Sequence, residues 1–306
     1  MKPTKDQARE LREEIGDRLV IASVSGGKDS AALSLFLTEC EIPHDRVFAD
    51  TGWESELTYK YLRGVLVDRL GPISEVRADR QMVDWIRHKG MFPSRKRRWC
   101  TDKLKVDPLF EFIFSMVASG REVVNAVGIR ADESRARSNL PQWDGYSDKR
   151  GTFDIWRPLI DWTEEDVFAI HRRHDLAPNP LYFKGSRRVG CWPCIYSRKD
   201  EIKLIANEDP ARIDLISELE AFATEKADAR AAAKGKTNHH PRTFFMGQGP
   251  KDLFPRGRGA MPIADVVNWA KTGKGGRQFM LIDDPDPDAG CVRWGMCEHP
   301  SAKGDE

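Results

Sequence analysis

A short glycine-rich turn near the start of the chain constrains the fold more than any other feature of the sequence. An apolar run of strand length, 20–24, leads into the turn, and a Leu/Ala-rich run of helical composition, 31–37, leaves it. Adjacent glycines let the backbone approach a ligand closely, and the free N–H groups of a helix N-terminus attract anions. The turn therefore predicts a phosphate-binding loop formed by Ser25, Gly26, Gly27, Lys28, Asp29 and Ser30.

Two other interpretations of this turn were weighed against the phosphate-binding loop. A Walker A loop is excluded because the G-x-x-x-x-G-K-[ST] spacing is absent. An ordinary strand–turn–helix corner with polar surface residues is the simpler alternative. The complete strand–loop–helix context favours the phosphate-binding loop.

Further strand-like runs alternate with helical segments along the first half of the chain. The runs 46–50, 72–76 and 122–127 are typical of buried strands, and 79–89 is typical of a helix. This alternation predicts an α/β fold with a doubly wound parallel sheet. Asp50 ends one of the strands, and the carboxyl ends of strands border the ligand crevice of such sheets. Asp50 is therefore a candidate site residue.

The rest of the chain divides into a loop-rich connection, another strand and a tail. Glycine and proline predict a loop over 138–151, and 153–159 resembles an edge strand or a hairpin arm. Helical periodicity covers 199–233, and beyond it glycine, proline and charge dominate. We therefore predict an α/β domain over 1–200 and a helical, loop-rich C-terminal extension over 201–306.

Composition excludes several classes of protein. The chain has 306 residues, 40% of them hydrophobic, and its formal net charge is +1. A packed globular protein is expected, and the overall charge predicts no binding partner. No apolar run approaches the roughly 18 residues that a membrane helix requires. The sequence therefore predicts a cytoplasmic protein that does not associate with membranes.

Two charged segments are candidates for binding anions. The basic stretch 95–105 adjoins a tryptophan and a cysteine, so we favour an anion-facing loop over an ordinary solvated face. The segment 130–137 is dense in arginine, and the guanidinium groups of Arg130 and Arg137 suit bidentate contacts with phosphate or sulfate oxygens.

The chain has six cysteines, which in a protein of this length do not form a disulfide framework. Cys191 and Cys194 form a C-x-x-C turn, which could be a redox pair or half of a metal site. Cys100 is distant in sequence and can join them only through the fold. Cys40 follows the glycine-rich loop on its helix and is predicted to be a core residue.

Five motifs together resemble the phosphoadenylyl-sulfate and adenylyl-sulfate reductase family of the N-type ATP pyrophosphatases, or PP-loop superfamily. They are the loop 25–30, the Asp50-Thr51-Gly52 turn, the segment from Gly128 through Arg130 and Glu133 to Arg137, the cysteine segment 100–109, and Asn179-Pro180-Leu181 leading to Cys191 and Cys194. The resemblance implies an adenine nucleotide alpha hydrolase-like fold. It also implies that Gly128, Arg130, Glu133 and Arg137 bind the nucleotide together with the loop.

In the adenylyl-sulfate branch of the family, cysteines bind a [4Fe-4S] cluster. The resemblance carries three of those ligands onto Cys100, Cys191 and Cys194. Thr101 stands where the family has another cysteine, so the fourth ligand is expected to be Cys297, ranked ahead of Cys291, or else an exogenous group such as hydrosulfide. Zinc is the alternative metal, because a cysteine-rich site suits it equally.

Two departures from the family shape the functional hypothesis. The catalytic tail Glu-Cys-Gly-Leu-His of the reductases is absent, and Cys297 lies in a different order and spacing. The phosphate-binding loop is intact, as in enzymes that cleave ATP, whereas the reductases have a degraded loop. The resemblance therefore favours an ATP pyrophosphatase that adenylates a substrate for sulfur transfer, as in DNA phosphorothioation or tRNA thiolation.

In this hypothesis Lys28, Asp29, Asp50 and Arg130 are catalytic, ATP is the nucleotide, and Mg²⁺ is held with the help of the two aspartates. Nucleic acid, either DNA or tRNA, or a sulfur-donor protein such as a cysteine desulfurase would be the partner. Two alternatives stay open, and so does the oligomeric state. One is a (phospho)adenylyl-sulfate reductase with Cys297 as the nucleophile, and the other is a non-catalytic nucleotide-binding subunit.

Overall fold

The computed structural model describes residues 2–94, 96–135, 137–237, 241–247 and 259–273. Its main sheet has six strands in the order β3-β2-β1-β4-β6-β5, and a separate pair is formed by β7 and β8. The strands are β1 Leu19–Ser23, β2 His44–Asp50, β3 Ser74–Arg77, β4 Val123–Val127, β5 Trp143–Asp148, β6 Gly151–Trp156, β7 Phe245–Gly247 and β8 Gly259–Met261.

Helices connect and flank these strands. They are α1 Lys5–Ile15, α2 Lys28–Glu39, α3 Glu56–Tyr61, α4 Val67–Leu70, α5 Met82–Lys89, α6 Trp99–Thr101, α7 Asp107–Ala118, α8 Glu164–Arg173, α9 Pro180–Phe183, α10 Lys199–Glu208, α11 Pro210–Ala232 and α12 Ile263–Ala270. The turns Leu62–Leu66 and Asp102–Val106 are π-helical, and Ala131–Glu133 is a 3₁₀ turn. No helix in the described ranges combines the length and apolarity needed to cross a bilayer.

The main sheet is parallel except at one edge, and helices cover both of its faces. β3, β2, β1, β4 and β6 run parallel, and β5 is antiparallel to β6. Side chains of a strand alternate between faces, so Val20 and Ala22 of β1 share one core with α2. Ile21 points to the other face and packs with Ile113 and Phe114 of α7. The predicted doubly wound parallel α/β sheet is confirmed.

The predicted loop over 138–151 is wrong in part, because β5 occupies Trp143–Asp148. Its partner β6 is a hairpin arm, one of the two predicted alternatives, and not an edge strand, since it pairs antiparallel with β5 and lies between β4 and β5. Cross-strand aromatic pairs account for the hairpin: Trp143 stacks on Trp156 with ring centroids 5.2 Å apart, and Tyr146 stacks on Phe153 at 5.2 Å. Trp143 and Tyr146 lie on opposite faces of β5 and pack in different cores, and the polar residues beside them concealed the strand.

The predicted anion-facing loop over 95–105 is also shorter than expected. From Trp99 the backbone is helical, passing through α6 and the π-helical turn Asp102–Val106 into α7. Trp99 and Leu104 are buried in the same core, which holds this stretch against the protein. The exposed basic residues that precede the helical stretch therefore end at Arg98, and within that stretch Lys103 is exposed and forms an ion pair with Asp107 at 2.7 Å.

A second core lies beside the sheet and joins distant parts of the chain. It contains Trp53, Trp99 and residues of α5, α11 and α12. Glu220 of α11 accepts hydrogen bonds from the backbone N–H groups of Phe244 and Ile263, both at 2.9 Å. These bonds fasten the described C-terminal segments onto α11. The division into domains at residue 200 stays a prediction.

Candidate functional site

The glycine-rich loop forms the turn from β1 into α2. Gly26 has a φ of +74°, and a Cβ there would lie 2.9 Å from the Thr58 methyl group. Only glycine adopts this backbone without strain. Ser30 stabilises the loop, since its hydroxyl accepts from the Ser25 N–H and donates to the Gly27 carbonyl, each at 3.0 Å. The loop is thus a fixed turn.

The N-terminus of α2 points its free N–H groups outward from this turn. Gly27 is the N-cap residue, and no side chain caps the helix. The Lys28 N–H donates to the Tyr182 hydroxyl at 3.2 Å. Among the residues that the structure describes, no acceptor faces the N–H groups of Asp29 and Ser30. These two donors and the helix dipole form the anion cradle that the sequence predicts.

Gly128 brings the end of β4 against the same loop. A Cβ at this position would lie 2.7 Å from the Asp29 carbonyl oxygen and 3.2 Å from the Ser30 Cα. In the sheet β1 lies between β2 and β4, so the direction in which successive strands are added reverses between β1 and β4. Open α/β sheets bind ligands at the carboxyl ends of the strands at such a switch point. The loop and Gly128 therefore lie where a ligand is expected.

The charged residues of the loop neutralise one another. Asp29 accepts from Arg130 Nε at 2.5 Å and from Lys28 Nζ at 3.0 Å, and Lys28 Nζ also lies 3.4 Å from Glu164. Burial alone would raise the pKa of Asp29, but the charges of Lys28 and Arg130 outweigh it, and this pKa is lowered. Burial would lower the pKa of Lys28, yet the neighbouring Tyr182, Asp29 and Glu164 raise it. Both groups are charged at neutral pH.

The predicted nucleotide-binding residues after Gly128 are tied to one another. Arg130 is almost buried, with 4% of its side chain exposed, and also contacts Asp132 at 2.5 Å. Glu133 accepts the Arg130 backbone N–H at 3.0 Å and forms an ion pair with Arg137. Arg130 thus lies within the loop site, and Glu133 and Arg137 lie at its more exposed rim.

Asp50 lies at the end of β2, the neighbour of β1, and is held by its own partners. It accepts from the Tyr59 hydroxyl at 2.6 Å, the Gly52 N–H at 2.9 Å, and Arg77 at 2.6 Å. Its side chain is 2% exposed. The structure places Asp50 at the same edge of the sheet as the loop, but with its hydrogen-bonding capacity already used.

A second buried carboxylate, which was not predicted from the sequence, lies four residues after Asp50. Glu54 is 2% exposed and accepts from the hydroxyls of Thr51, at 2.7 Å, and Tyr59, at 3.1 Å. It forms a β-bridge with Cys191. Since Tyr59 donates to Asp50 as well, one hydroxyl joins the two carboxylates. The position of Asp50 and Glu54 at or just beyond the end of a predicted strand was the sequence signal that could have indicated both carboxylates.

Lys105 is the other residue that sequence reasoning missed. It is half-buried, and the neighbouring Cys191 thiol and then Glu54 raise its pKa. The lysine therefore places a positive charge near Cys191 and Glu54. Its position in a basic run gave no indication that it differed from its neighbours.

The fold brings Cys100 towards Cys191 and Cys194, as the resemblance implied. The cysteines lie close enough for their charges to interact, and burial raises the pKa of Cys191 to about 11 and also raises that of Cys100. Within the described ranges, however, no three His, Cys, Asp or Glu residues have the arrangement of a metal site. Cys297 lies outside the described residues, as does Cys291.

The residue types at this cluster nevertheless fit a thiolate-bound metal centre. Soft thiolate ligands suit iron–sulfur clusters and zinc, and Trp53 fixes the C-x-x-C turn by donating from Nε1 to the Pro193 carbonyl at 2.9 Å. Cys40 instead packs in the main core as predicted, and burial raises its pKa to about 12.

Comparisons with known proteins identify the family of this chain. Residues 19–197 match the phosphoadenosine phosphosulfate reductase domain family. An uncharacterized 37.8 kDa protein of Escherichia phage 186 is 32% identical over 91% of this chain and 96% of its own length. The adenosine 5'-phosphosulfate reductase of Allochromatium vinosum is 28% identical over 63% of this chain and 75% of its own. The crystal structure of a phosphoadenylyl-sulfate reductase from Candida auris aligns with a TM-score of 0.45 at 16% identity, covering 63% of this chain and 97% of that one.

Proposed function

The chain belongs to the phosphoadenosine phosphosulfate reductase domain family, and within it we propose an ATP pyrophosphatase that adenylates a substrate for sulfur transfer. The observation that carries this proposal is the intact loop at the start of α2. Gly27 leaves the helix N-terminus without a side-chain cap, and the N–H groups of Asp29 and Ser30 face no acceptor in the described part of the chain. Such donors suit the phosphates of a nucleotide.

The reaction requires stabilisation of a departing pyrophosphate. An acceptor oxygen attacks the α-phosphorus, the bond to pyrophosphate breaks, and a sulfur nucleophile later displaces AMP from the adenylated acceptor. Negative charge accumulates on the leaving group, and preorganised N–H donors stabilise that charge without reorganising. Lys28 and Arg130 lie beside these donors and supply positive charge once phosphate oxygens replace their present carboxylate partners.

Mg²⁺ fits this site through one carboxylate more readily than through the other. When bound, the ion would neutralise phosphate charge and orient the triphosphate. Asp29 lies at the loop with 16% of its side chain exposed, so it is the carboxylate placed to hold the ion. Asp50 is 2% exposed and already accepts from Arg77 and Tyr59. Its part in metal binding is thus indirect, through the shape of the crevice.

The cysteine cluster would serve the sulfur-transfer step. Cys100, Cys191 and Cys194 would hold a [4Fe-4S] cluster or zinc with a fourth ligand, for which Cys297 remains the proposal. Such a cluster would supply electron transfer or a thiophilic iron. Lys105 and Glu54 border Cys191, so they set the charge and hydrogen bonding around that sulfur. A sulfur-donor protein such as a cysteine desulfurase remains a proposed partner.

The variant Gly27→Ala tests the assignment of the loop. A Cβ at Gly27 would meet Tyr182 and Val189 only at 3.6 Å, an ordinary contact, so the fold should persist. The same methyl group would obstruct phosphates at the helix N-terminus. Losing a donor of this kind costs about 10²–10³ in rate, so pyrophosphate release from ATP should fall by roughly a hundredfold. Gly145→Ala is the control, since a Cβ there contacts nothing within 4 Å. Equal pyrophosphate release by Gly27→Ala and wild type would refute the assignment.

The adenosine 5'-phosphosulfate reductases among the relatives favour a second candidate. A reductase would release sulfite from adenylyl sulfate or phosphoadenylyl sulfate with reduced thioredoxin, and it would not release pyrophosphate from ATP. Anaerobically purified protein should therefore be incubated with each nucleotide in turn and the products identified. Sulfite without pyrophosphate would establish the reductase, and neither product would indicate a non-catalytic nucleotide-binding subunit.

A further inference from the structure

A concentration of positive charge covers the end of α5 and the segment that follows it. Between residues 80 and 98 the sequence has seven lysines and arginines against one acid, Asp84. The formal net charge of the whole chain is only +1, so this imbalance is local. Arg80, Arg87 and the run 96–98 are exposed. Local charge of this density attracts polyanions even when the overall charge is near zero.

α11 adds two more cations to the same face. Lys226 Nζ donates to the carbonyls of Arg87, at 2.8 Å, and His88, at 3.1 Å, and Arg230 donates to the Lys89 carbonyl at 2.7 Å. These bonds cap the C-terminus of α5. Carbonyl oxygens are uncharged, so the capping bonds leave both positive charges on this surface.

The pKa of His88 shows the effect of these positive charges. Its pKa is lowered, first by the charge of Arg80 and then by slight burial and the charges of Lys226, Lys89 and Arg230. Four cations therefore surround one exposed imidazole. In the described ranges, none of these four forms an ion pair with a carboxylate. In the described part of the chain, the charges of these four cations are thus not neutralised by carboxylates, unlike the charges of the glycine-rich loop.

This surface adjoins the cysteine cluster. The Arg98 guanidinium lies 5.5 Å from the Tyr196 ring centroid. Arg98 stands two residues before Cys100, and Tyr196 stands two residues after Cys194. The contact therefore joins the two cysteine-bearing segments at the border of the charged face.

We propose that this basic surface binds the phosphodiester backbone of a nucleic acid and presents it to the cysteine cluster. The surface is defined as Arg80, Arg87, Lys89, Lys96, Arg97, Arg98, Lys226 and Arg230. Phosphate contacts of this kind are independent of base sequence and strongly dependent on salt. The inference deepens the proposed function, on which it rests for the role of the nucleic acid as the sulfur acceptor.

The test is binding of fluorescein-labelled nucleic acids to the full chain, measured by anisotropy without ATP. The probes are a DNA duplex, a DNA single strand and a transfer RNA. About four phosphate contacts give a slope of log Kobs against log salt of roughly −3.6 on the duplex. Arg87→Glu/Arg97→Glu should weaken binding by about tenfold or more and reduce that slope by about two. Arg121→Glu is the matched control, because Arg121 is exposed just before β4 and so lies at the amino end of that strand, opposite to the carboxyl end that borders the site.

The outcomes separate this inference from the proposed function. Salt-dependent binding that the double variant loses and the control retains supports the surface, and the preferred probe identifies DNA or RNA. Equal affinities of wild type and double variant, or no binding to any of the three probes, would overturn it. Pyrophosphate release from ATP is measured separately on the same proteins. Its absence would count against the proposed function and leave the binding result in place.

Discussion

Replacing Arg130 by methionine tests whether the ion pairs of the loop hold β4 against α2. Methionine keeps most of the side-chain volume and removes the guanidinium. The change leaves Asp29, with 16% of its side chain exposed, paired with Lys28 at 3.0 Å alone. Breaking a buried ion pair costs about 3–5 kcal/mol. The remaining lysine and the partial exposure reduce that cost, so we expect the free energy of unfolding to fall by about 2–3 kcal/mol.

Urea unfolding at several pH values measures this effect and its cause. The pKa of Asp29 is lowered below its ordinary 3.8 in the folded protein. The carboxylate therefore contributes its full stability above that value and loses it as pH falls through the folded pKa. The difference between wild type and Arg130→Met should accordingly narrow as the pH falls below 3.8.

A double-mutant cycle identifies the pair itself. Asp29→Asn/Arg130→Met should lose less stability than the two single changes added together, with a coupling of about 1–3 kcal/mol. A loss below about 1 kcal/mol for Arg130→Met, or additive single changes, would refute the reasoning.

Three further predictions concern other parts of the chain. Anaerobically purified protein should be brown and contain roughly four irons per chain, and Cys100→Ser and Cys191→Ser should each lose both the colour and the iron. Cys40→Ser should keep both. Colourless wild-type protein with stoichiometric zinc would contradict the iron–sulfur cluster. Iodoacetamide should leave Cys40 unmodified in the native protein at pH 8, because burial raises its pKa to about 12, and peptide mass mapping checks it. Burial raises the pKa of Glu220 from 4.5 to about 7, so stability should fall as pH rises between these values; Glu220→Gln should flatten that dependence in urea unfolding, and an unchanged profile would contradict it.

The first strand, the loop and α2 could be predicted because their determinants are local. The central residues of β1, Val20, Ile21 and Ala22, are buried and apolar because helices cover both faces of the sheet, and the Gly26-Gly27 pair by itself indicates a turn. The C-x-x-C turn is local in the same sense. That this turn lies near Cys100 could be predicted only from the family resemblance, since no spacing rule connects segments so far apart.

The features that escaped prediction depend on contacts between distant segments. The sequence indicates an ordinary loop lysine at position 28. In the structure, Glu164 of α8 and Tyr182 of α9 enclose Lys28 and leave it 6% exposed. β5 exists because its aromatic residues stack on β6. Glu54 became part of the site through its bridge to Cys191. Each of these partners is selected by the tertiary fold, which no short sequence window contains.

The contact between Gly128 and the loop limits how this chain can vary. Any side chain at Gly128 would place its first carbon 2.7 Å from a carbonyl oxygen and 3.2 Å from a Cα, and backbone atoms have no rotamer by which to yield. Gly64, in contrast, has nothing within 4 Å of such a carbon. A saturation library selected for folded protein should therefore return glycine alone at 128 and many residues at 64. The pattern of tolerated substitutions would then identify where the end of β4 packs against the glycine-rich loop, without any assay of catalysis.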